Sequence, residues 1–469
     1  MLIRFFLYSL LAAFLPLSVA AANDDGEPFP GGKCYMYRVE LADKAGTPFT
    51  LQHPEDYLSA KAIERRQRQG LAVDSTDLPV SPRYVETIKT TGVTVIGTSK
   101  WNNTVLVRSQ NDGVATQLES LPFVKSVTCV LISPDTVIPS KRDAVTLSLA
   151  KSDTLKNKPY GHATSQIKLV KGDVLHDNGY RGKGMTIAVL DGGFMNVDKI
   201  PCMQKIQIQA MKNFAIPYYG SICNALDHGT CVLSLMGVDE PGVFVGTAPE
   251  ASYVLIKTEV GQYENLVEED FWAMGAEYAD SIGADLINSS LGYNLYDNKR
   301  TSYTYAALDG HTALISRTAS MLASKGIVHC NSAGNSGNDP WKKIGVPADA
   351  DNILAVGALT PLKINANFSS VGPSADGRVK PDVMAPGNPT AVVDGRGEIR
   401  FGSGTSFASP LLCGLVACLW QSMPDLTAYE VMELVRSTAS RADKPDNVFG
   451  YGIANFEKAL QVGRDKVAK

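Results

Sequence analysis

Five short apolar runs constrain this chain more than any other feature: 185–190, 253–257, 286–288, 327–330 and 353–356. Each is too short for a helix and lacks the alternation of a strand with one wet face, so each reads as a strand buried on both sides. Helical stretches over 229–236, 269–282 and 312–325 fall between them. Buried strands alternating with helices predict a three-layer α/β unit with a mostly parallel sheet, spanning 164–463. In such sheets ligands gather beyond the carboxyl ends of the strands.

The rest of the chain differs in texture. Arg4, an apolar run over 5–15, Pro16 and the small residues Ala20, Ala21 and Ala22 have the layout of a secretory signal peptide over 1–22. This predicts export to a periplasm, a cell surface or the medium. No later run is long and apolar enough to span a bilayer, so the mature chain is expected to carry no integral membrane segment.

Residues 31–132 read as a small α+β unit. Strands are predicted over 34–41, 93–96, 104–107 and 124–132, and helices over 54–68 and 114–121. The order β-α-β-β-α-β is the ferredoxin-like pattern. The run Glu64-Arg65-Arg66-Gln67-Arg68 reads as a solvated helix face. Residues 133–163 lose hydrophobic periodicity and read as an exposed linker, where proteolytic nicking concentrates.

Composition narrows the classes. A net charge of −4, from 44 basic and 48 acidic residues, argues against nucleic acid or an anionic membrane as partner. The eight cysteines contain no Cys-x-x-Cys pair, against zinc ribbons and thioredoxin-like redox sites. Cys231, Cys330, Cys413 and Cys418 lie in apolar runs and read as small buried hydrophobes. In an exported chain, Cys202 could bridge Cys223, and Cys34 could bridge Cys129.

Three segments can carry chemistry. Asp191, in Val189-Leu190-Asp191-Gly192-Gly193, ends a buried strand. His228, in Asp227-His228-Gly229-Thr230, opens an apolar helix, where the helix dipole disfavours its protonation and a neutral imidazole can act as base. Gly229 leaves room for close backbone approach. Ser406, in Gly404-Thr405-Ser406-Phe407-Ala408-Ser409-Pro410, opens another apolar helix, where free backbone N–H groups stabilise a nearby anion. Pro410 fits a first turn. A nucleotide loop is a poor alternative: Phe407 stands where a third glycine belongs, and no P-loop lysine is present. A serine nucleophile needs a base, the base needs an acid to orient it, and the oxyanion needs donors. The order Asp, His, Ser matches one known arrangement of that triad.

These segments, with Ser290-Leu291-Gly292, Ser332-Ala333-Gly334-Asn335 and Gly450-Tyr451-Gly452-Ile453-Ala454-Asn455, resemble the motifs of subtilisin-like serine proteases over residues 165–462. The resemblance implies an endopeptidase working through an acyl-enzyme on extended polypeptides. Asp191, His228 and Ser406 would form the triad, and Asn335 and the Ser406 N–H would donate to the oxyanion. Ser290, Leu291 and Gly292 would pair with substrate backbone. Ala333 and Gly334 would line the site, and Gly345 would floor a primary pocket with room for a large apolar side chain.

The N-terminal unit is similar to the propeptides of Bacteroidetes-type exported members, through Leu58-Ser59, Glu64-Arg65-Arg66, Asp77-Leu78-Pro79-Val80-Ser81 and Ser99-Lys100-Trp101. It would inhibit and assist folding of its own protease, with autocatalytic cleavage between about Pro134 and His162. A monomer is expected, with no cofactor needed for the chemistry. Many relatives hold structural calcium, for which no oxygen-ligand set stands out. Two departures are Cys231, where relatives often have a second histidine, and Phe407, where methionine is usual. The stretch 201–227 has no assigned role. The alternative is a catalytically silent pseudo-protease acting as a binding module, whose mark would be a missing triad or oxyanion residue; none is missing.

Overall fold

The structure, a computed structural model, describes residues 27–137, 142–146, 149, 158–215, 220–224 and 226–467. The expected signal peptide lies outside these residues, as do 138–141, 147–148 and 150–157 of the linker in which cleavage is expected.

The N-terminal unit is an antiparallel sheet of β1 (Tyr35–Leu41), β2 (Thr94–Ser99), β3 (Thr104–Ser109) and β4 (Val124–Ile132), ordered β2-β3-β1-β4. That order is the ferredoxin-like one, but its first crossover helix is not the one expected. The stretch 54–68 breaks into a 3-10 turn, Pro54–Asp56, and a helix α1 (Ala60–Arg68), whose N-cap Ser59 Oγ accepts the Ala62 N–H at 3.2 Å. The helix that covers the sheet is α2 (Pro82–Lys89), together with α3 (Val114–Glu119). Ser81 followed by Pro82 is the start signal that marks α2.

Alternation along the strands splits the sheet into two faces. Tyr37, Val39, Leu41, Val105 and Val107 pack with Ile88, Val114 and Leu118. Met36, Leu106, Val130 and Leu131 point the other way, into a core shared with Phe271, Trp272 and Met274 of the C-terminal unit. Each such buried side chain contributes roughly 1.5–3 kcal/mol, so the second face is stabilised only while the two units stay together.

The C-terminal unit is built on seven parallel strands: β5 (Thr186–Asp191), β6 (Gln207–Asn213), β7 (Ser252–Lys257), β8 (Leu286–Ser289), β9 (Val328–Ser332), β10 (Leu354–Leu359) and β11 (Val383–Pro386). Their order is β11-β10-β9-β8-β5-β7-β6. The chain leaves β5 towards β7 and β6 on one side and later towards β8 on the other, so the topological switch lies at the end of β5. β6 falls in the stretch that the sequence left without a role; it is an edge strand with one face wet, so it lacks the continuous apolar run of the others.

Adjacent residues of β5 feed opposite layers. Ile187 and Val189 join the core of α4 (His228–Gly237) and the long helix Thr405–Gln421; Ala188 and Leu190 join that of α5 (Val267–Ile282) and α6 (Leu314–Met321). The expected helix over 312–325 is α6 followed by a 3-10 turn, Leu322–Lys325.

The N-terminal unit docks on one acidic face of α5, made by Asp270, Glu277 and Asp280 at helical spacing. Arg38 grips Asp270 through two bonds, of 2.7 and 2.6 Å. Glu277 accepts Ser99 Oγ–H at 2.5 Å and the N–H groups of Lys100 and Trp101 at 2.7 and 3.0 Å. Asp280 takes Arg65 at 2.5 Å, Arg66 at 2.9 Å and Lys100 at 3.2 Å. Arg65 and Arg66 are therefore buried, at 2% and 1% exposure. This corrects the reading of the arginine run as a solvated face: the cations leave water because a matched set of carboxylates and carbonyls replaces it.

All eight cysteines are free thiols, so neither expected bridge forms. β1 and β4 are neighbours, but Cys129 sits opposite Tyr37, while Tyr35, next to Cys34, sits opposite Ile132. Cys202 and Cys223 are both buried in the apolar core with Cys231, Cys330, Cys413 and Cys418. Among the described residues no helix is long and apolar enough to cross a membrane, and no group of three or more His, Cys, Asp or Glu side chains could hold a metal ion.

Candidate active site

Three chain reversals at the sheet's carboxyl edge bring the predicted residues together. Asp191 is the last residue of β5 and is fully buried; its Oδ1 accepts the Gly192 N–H at 2.7 Å. His228 is the first residue of α4. Its Nδ1 lies 2.9 Å from Asp191 Oδ1 and 3.0 Å from Oδ2, so the ring's Nε2 faces away from the acid. The Gly229 N–H donates to the Gly193 carbonyl at 2.9 Å, and a Cβ on Gly229 would stand 2.4 Å from that oxygen. Glycine is thus required there for the helix to approach β5.

Burial opposes a charge on His228. The Asp191 carboxylate at Nδ1 outweighs it, with Glu259 and Asp227 adding to the effect, and pushes the pKa up to about 9. This corrects the expectation that the helix start keeps the imidazole neutral: a carboxylate at contact distance is a stronger influence than a screened helix end.

Ser406 lies in the first turn of α7 (Thr405–Gln421). Pro410 lies in the second turn of that helix, not the first as expected. Having no N–H, it cannot bond the Ser406 carbonyl four residues back. That carbonyl instead accepts Ser290 Oγ–H at 2.8 Å, and Ser406 Oγ–H points to the Ser290 carbonyl at 3.3 Å. Among the described residues no hydrogen bond joins Ser406 Oγ to His228. A rotation of the serine side chain is needed to align them, as is common before substrate binds.

Asn335 follows β9. Its Oδ1 accepts both the N–H and the Oγ1–H of Thr405, each at 2.9 Å. This fixes which way the amide faces and leaves Nδ2 beside Gly404 and the start of α7. The Ser406 N–H, in a first helical turn, has no intrahelical acceptor. Asp191, His228, Ser290–Gly292, Gly334, Asn335 and Ser406 line one cleft of about 310 Å³.

A second, smaller cavity of about 60 Å³ adjoins it, walled by Gly292, Ala333, Gly334 and Gly345. A Cβ on Gly345 would meet the Tyr293 carbonyl at 2.7 Å. Backbone packing between Tyr293 and Val346 therefore demands this glycine, whatever room it also leaves for substrate. Trp341 and Lys343 share the lining and were not anticipated.

Sequence reasoning also missed Leu226 and Glu259, both in the larger cleft. The signal for Glu259 was an acid two residues past a buried strand, beside the switch point. Phe407 packs its ring 6.0 Å from that of His228, and Cys231 is buried where its Sγ accepts Arg400 Nη2 at 3.1 Å. Neither departure removes a reacting atom.

The Subtilase family model of peptidase S8 matches residues 182–452, more than half of the chain. The chain belongs to the subtilase family. A second model, the peptidase S8 propeptide domain of Bacteroidota, matches residues 36–144 of this subtilase. Over 310 residues it is 31% identical to Subtilisin DY of Bacillus licheniformis, covering 65% of this chain and 98% of that protein. It is 30% identical over 311 residues to Serine protease AprX of Bacillus subtilis, covering 60% of this chain and 66% of that one.

Among solved structures, the epidermin leader peptide processing serine protease of Staphylococcus aureus superposes with a TM-score of 0.61 at 16% identity, over 92% of this chain and 99% of that one. MycP1 from the ESX-1 type VII secretion system gives 0.52 at 20% identity, over 69% and 91%. These two share the fold. This subtilase is a serine protease with an N-terminal propeptide domain.

Proposed function

We propose that this subtilase is an exported endopeptidase that cuts extended polypeptide through an acyl-enzyme on Ser406. The observation that carries the reading is the Asp191–His228 contact of 2.9 Å at the mouth of a cleft that also holds Ser406 and Asn335. His228 Nε2 takes the Ser406 hydroxyl proton as Oγ attacks the scissile carbonyl, then gives it to the leaving amine. Water enters and is deprotonated in the same way to release the acid. Asp191 holds the imidazole so that Nε2 is free for this. Asn335 Nδ2 and the Ser406 N–H donate to the oxyanion. Ser290–Gly292 offer backbone groups to an extended substrate, which is recognition with little sequence demand. The N-terminal unit would act as inhibitor and folding aid until it is cut away.

A serine-directed fluorophosphonate tests this on the exported, self-processed protein. Labelling of wild type at Ser406 is the expected result; an unlabelled mature protein would overturn it in favour of a silent binding module. Asn335→Ala is expected to lower kcat by about 10²- to 10³-fold with little change in KM, the usual cost of one oxyanion donor. Stopped assays on one peptide check this, and an unchanged kcat rejects Asn335 as a donor.

The base must be neutral to accept a proton. With the His228 pKa pushed up to about 9, kcat/KM is expected to climb with pH and to have its midpoint above the usual imidazole value near 6.5. A flat profile from pH 6 to 9 contradicts it.

A further inference from the structure

Glu259 is an acid in the substrate cleft that takes no part in the proton transfers of the triad, although its charge helps raise the His228 pKa. It stands two residues beyond β7, whose last residue, Lys257, pairs with Asp191 in the sheet. Its side chain enters the same cleft as His228, Ser406 and Gly292. Oε1 accepts the Tyr293 hydroxyl at 3.0 Å. Oε2 lies against Gly192, 3.2 Å from where a Cβ would be.

No Lys, Arg or His among the described residues forms an ion pair with Glu259. The nearest cation along the chain, Lys257, spends its ammonium on the carbonyls of Gly192 and Glu259. Its other charged neighbours are the acids Asp191, Glu264 and Glu268 and, on the opposing side of the balance, His228, whose own partner is Asp191. A half-buried carboxyl without a direct ion pair, facing three other acids, is costly. Burial first, and Asp191 second, push its pKa up to about 7. A cation brought by a ligand would remove that cost.

Geometry says where the cation comes from. In the endopeptidase reading Ser290–Gly292 pair with the acyl part of the substrate, and Glu259, tied to the next residue, Tyr293, lies on that side of the cleft. On the same reading, the separate cavity at Gly345 is the recess for the residue that supplies the scissile carbonyl; Glu259 does not line it. In an extended peptide the preceding side chain turns the opposite way, towards His228 and Glu259.

We propose that Glu259 selects lysine or arginine at the substrate residue immediately N-terminal to the one whose carbonyl is cleaved. This rests on the endopeptidase reading and adds the substrate class. The full-length chain is exported, left to process itself and assayed for kcat/KM. The peptides differ only at that residue: lysine, arginine, glutamine, norleucine or glutamate.

The basic peptides are expected to lead norleucine by at least about 10-fold, as for a charge pair formed out of water. That ratio should collapse towards 1 in Glu259→Gln and survive in part in Glu259→Asp. A purely structural role would instead lower all five rates together, and a His228-tuning role would raise all five together near neutral pH by letting the His228 pKa fall. Absence of a basic preference in wild type, or a uniform change of all five rates in Glu259→Gln with their ratios kept, overturns the assignment alone. A processed protein that neither takes fluorophosphonate nor cleaves any peptide overturns the endopeptidase reading and this one with it.

Discussion

Alanine at Ser406, or at His228, is expected to reduce kcat by about 10⁶-fold, and alanine at both to cost little more than either alone. The magnitude is the one known for a subtilisin triad, where the members act as a unit. The physical reason is visible here. Among the described residues Ser406 Oγ has no other base in reach: it donates to the Ser290 carbonyl at 3.3 Å, which can orient the hydroxyl but cannot take its proton. His228, held by Asp191 at 2.9 Å, has no other described nucleophile to serve in the cleft. Removing either group idles the other. Burst and steady-state kinetics on one peptide check this. Losses that multiplied in the double variant would mean that serine and histidine contribute independently, and the triad assignment would fail.

Arg65→Ala, made in a chain already inactivated by Ser406→Ala, is expected to destabilise the two-unit protein by about 3–5 kcal/mol, the usual cost of stripping one partner from a buried ion pair. Arg65 Nη2 lies 2.5 Å from Asp280, Nη1 donates to the Ala284 carbonyl at 2.6 Å and Nε to the Lys325 carbonyl at 3.1 Å. Alanine leaves those oxygens buried and dry. Asp280 keeps Arg66 and Lys100, so the deficit is partial in charge but complete at the two carbonyls.

The pH dependence has a definite sign. Burial alone would raise the Asp280 carboxyl, but Lys100, Arg65 and Arg66 hold it well below the usual range. Its contribution is therefore fully present above the unfolded value near about 4 and fades only as pH falls further, towards the depressed folded value. Urea midpoints of the two chains at pH 7 measure the effect. An unchanged midpoint would mean that the Arg65 contacts do not hold the units together.

Much of the site was legible because its signals are local. An acid at the end of an apolar run, a histidine before a glycine at a helix start and a serine before an apolar helix each declare themselves within ten residues. Their order then names the chemistry. Strands β5, β7, β8 and β9 were legible for the same reason, since burial on both faces leaves an unbroken apolar run. Strand β6, wet on one face, and helix α2, barely two turns long, had weaker marks and were passed over.

Charge was where sequence misled. Arg65 and Arg66 look like surface because arginine is seldom buried unpaired, and their partner Asp280 lies 215 and 214 residues away along the chain. His228 looks neutral at a helix start until Asp191 arrives at contact distance. Glu259 looks like a loop acid until β7 is laid beside β5. By itself, then, the sequence determined the fold class, the order of the reacting groups and the elements that carry them, because hydrophobic period and element boundaries are written locally. Only the tertiary structure decided which charges meet, which stay alone and what each costs, because Coulomb energy and desolvation depend on distances across the fold that no local pattern records.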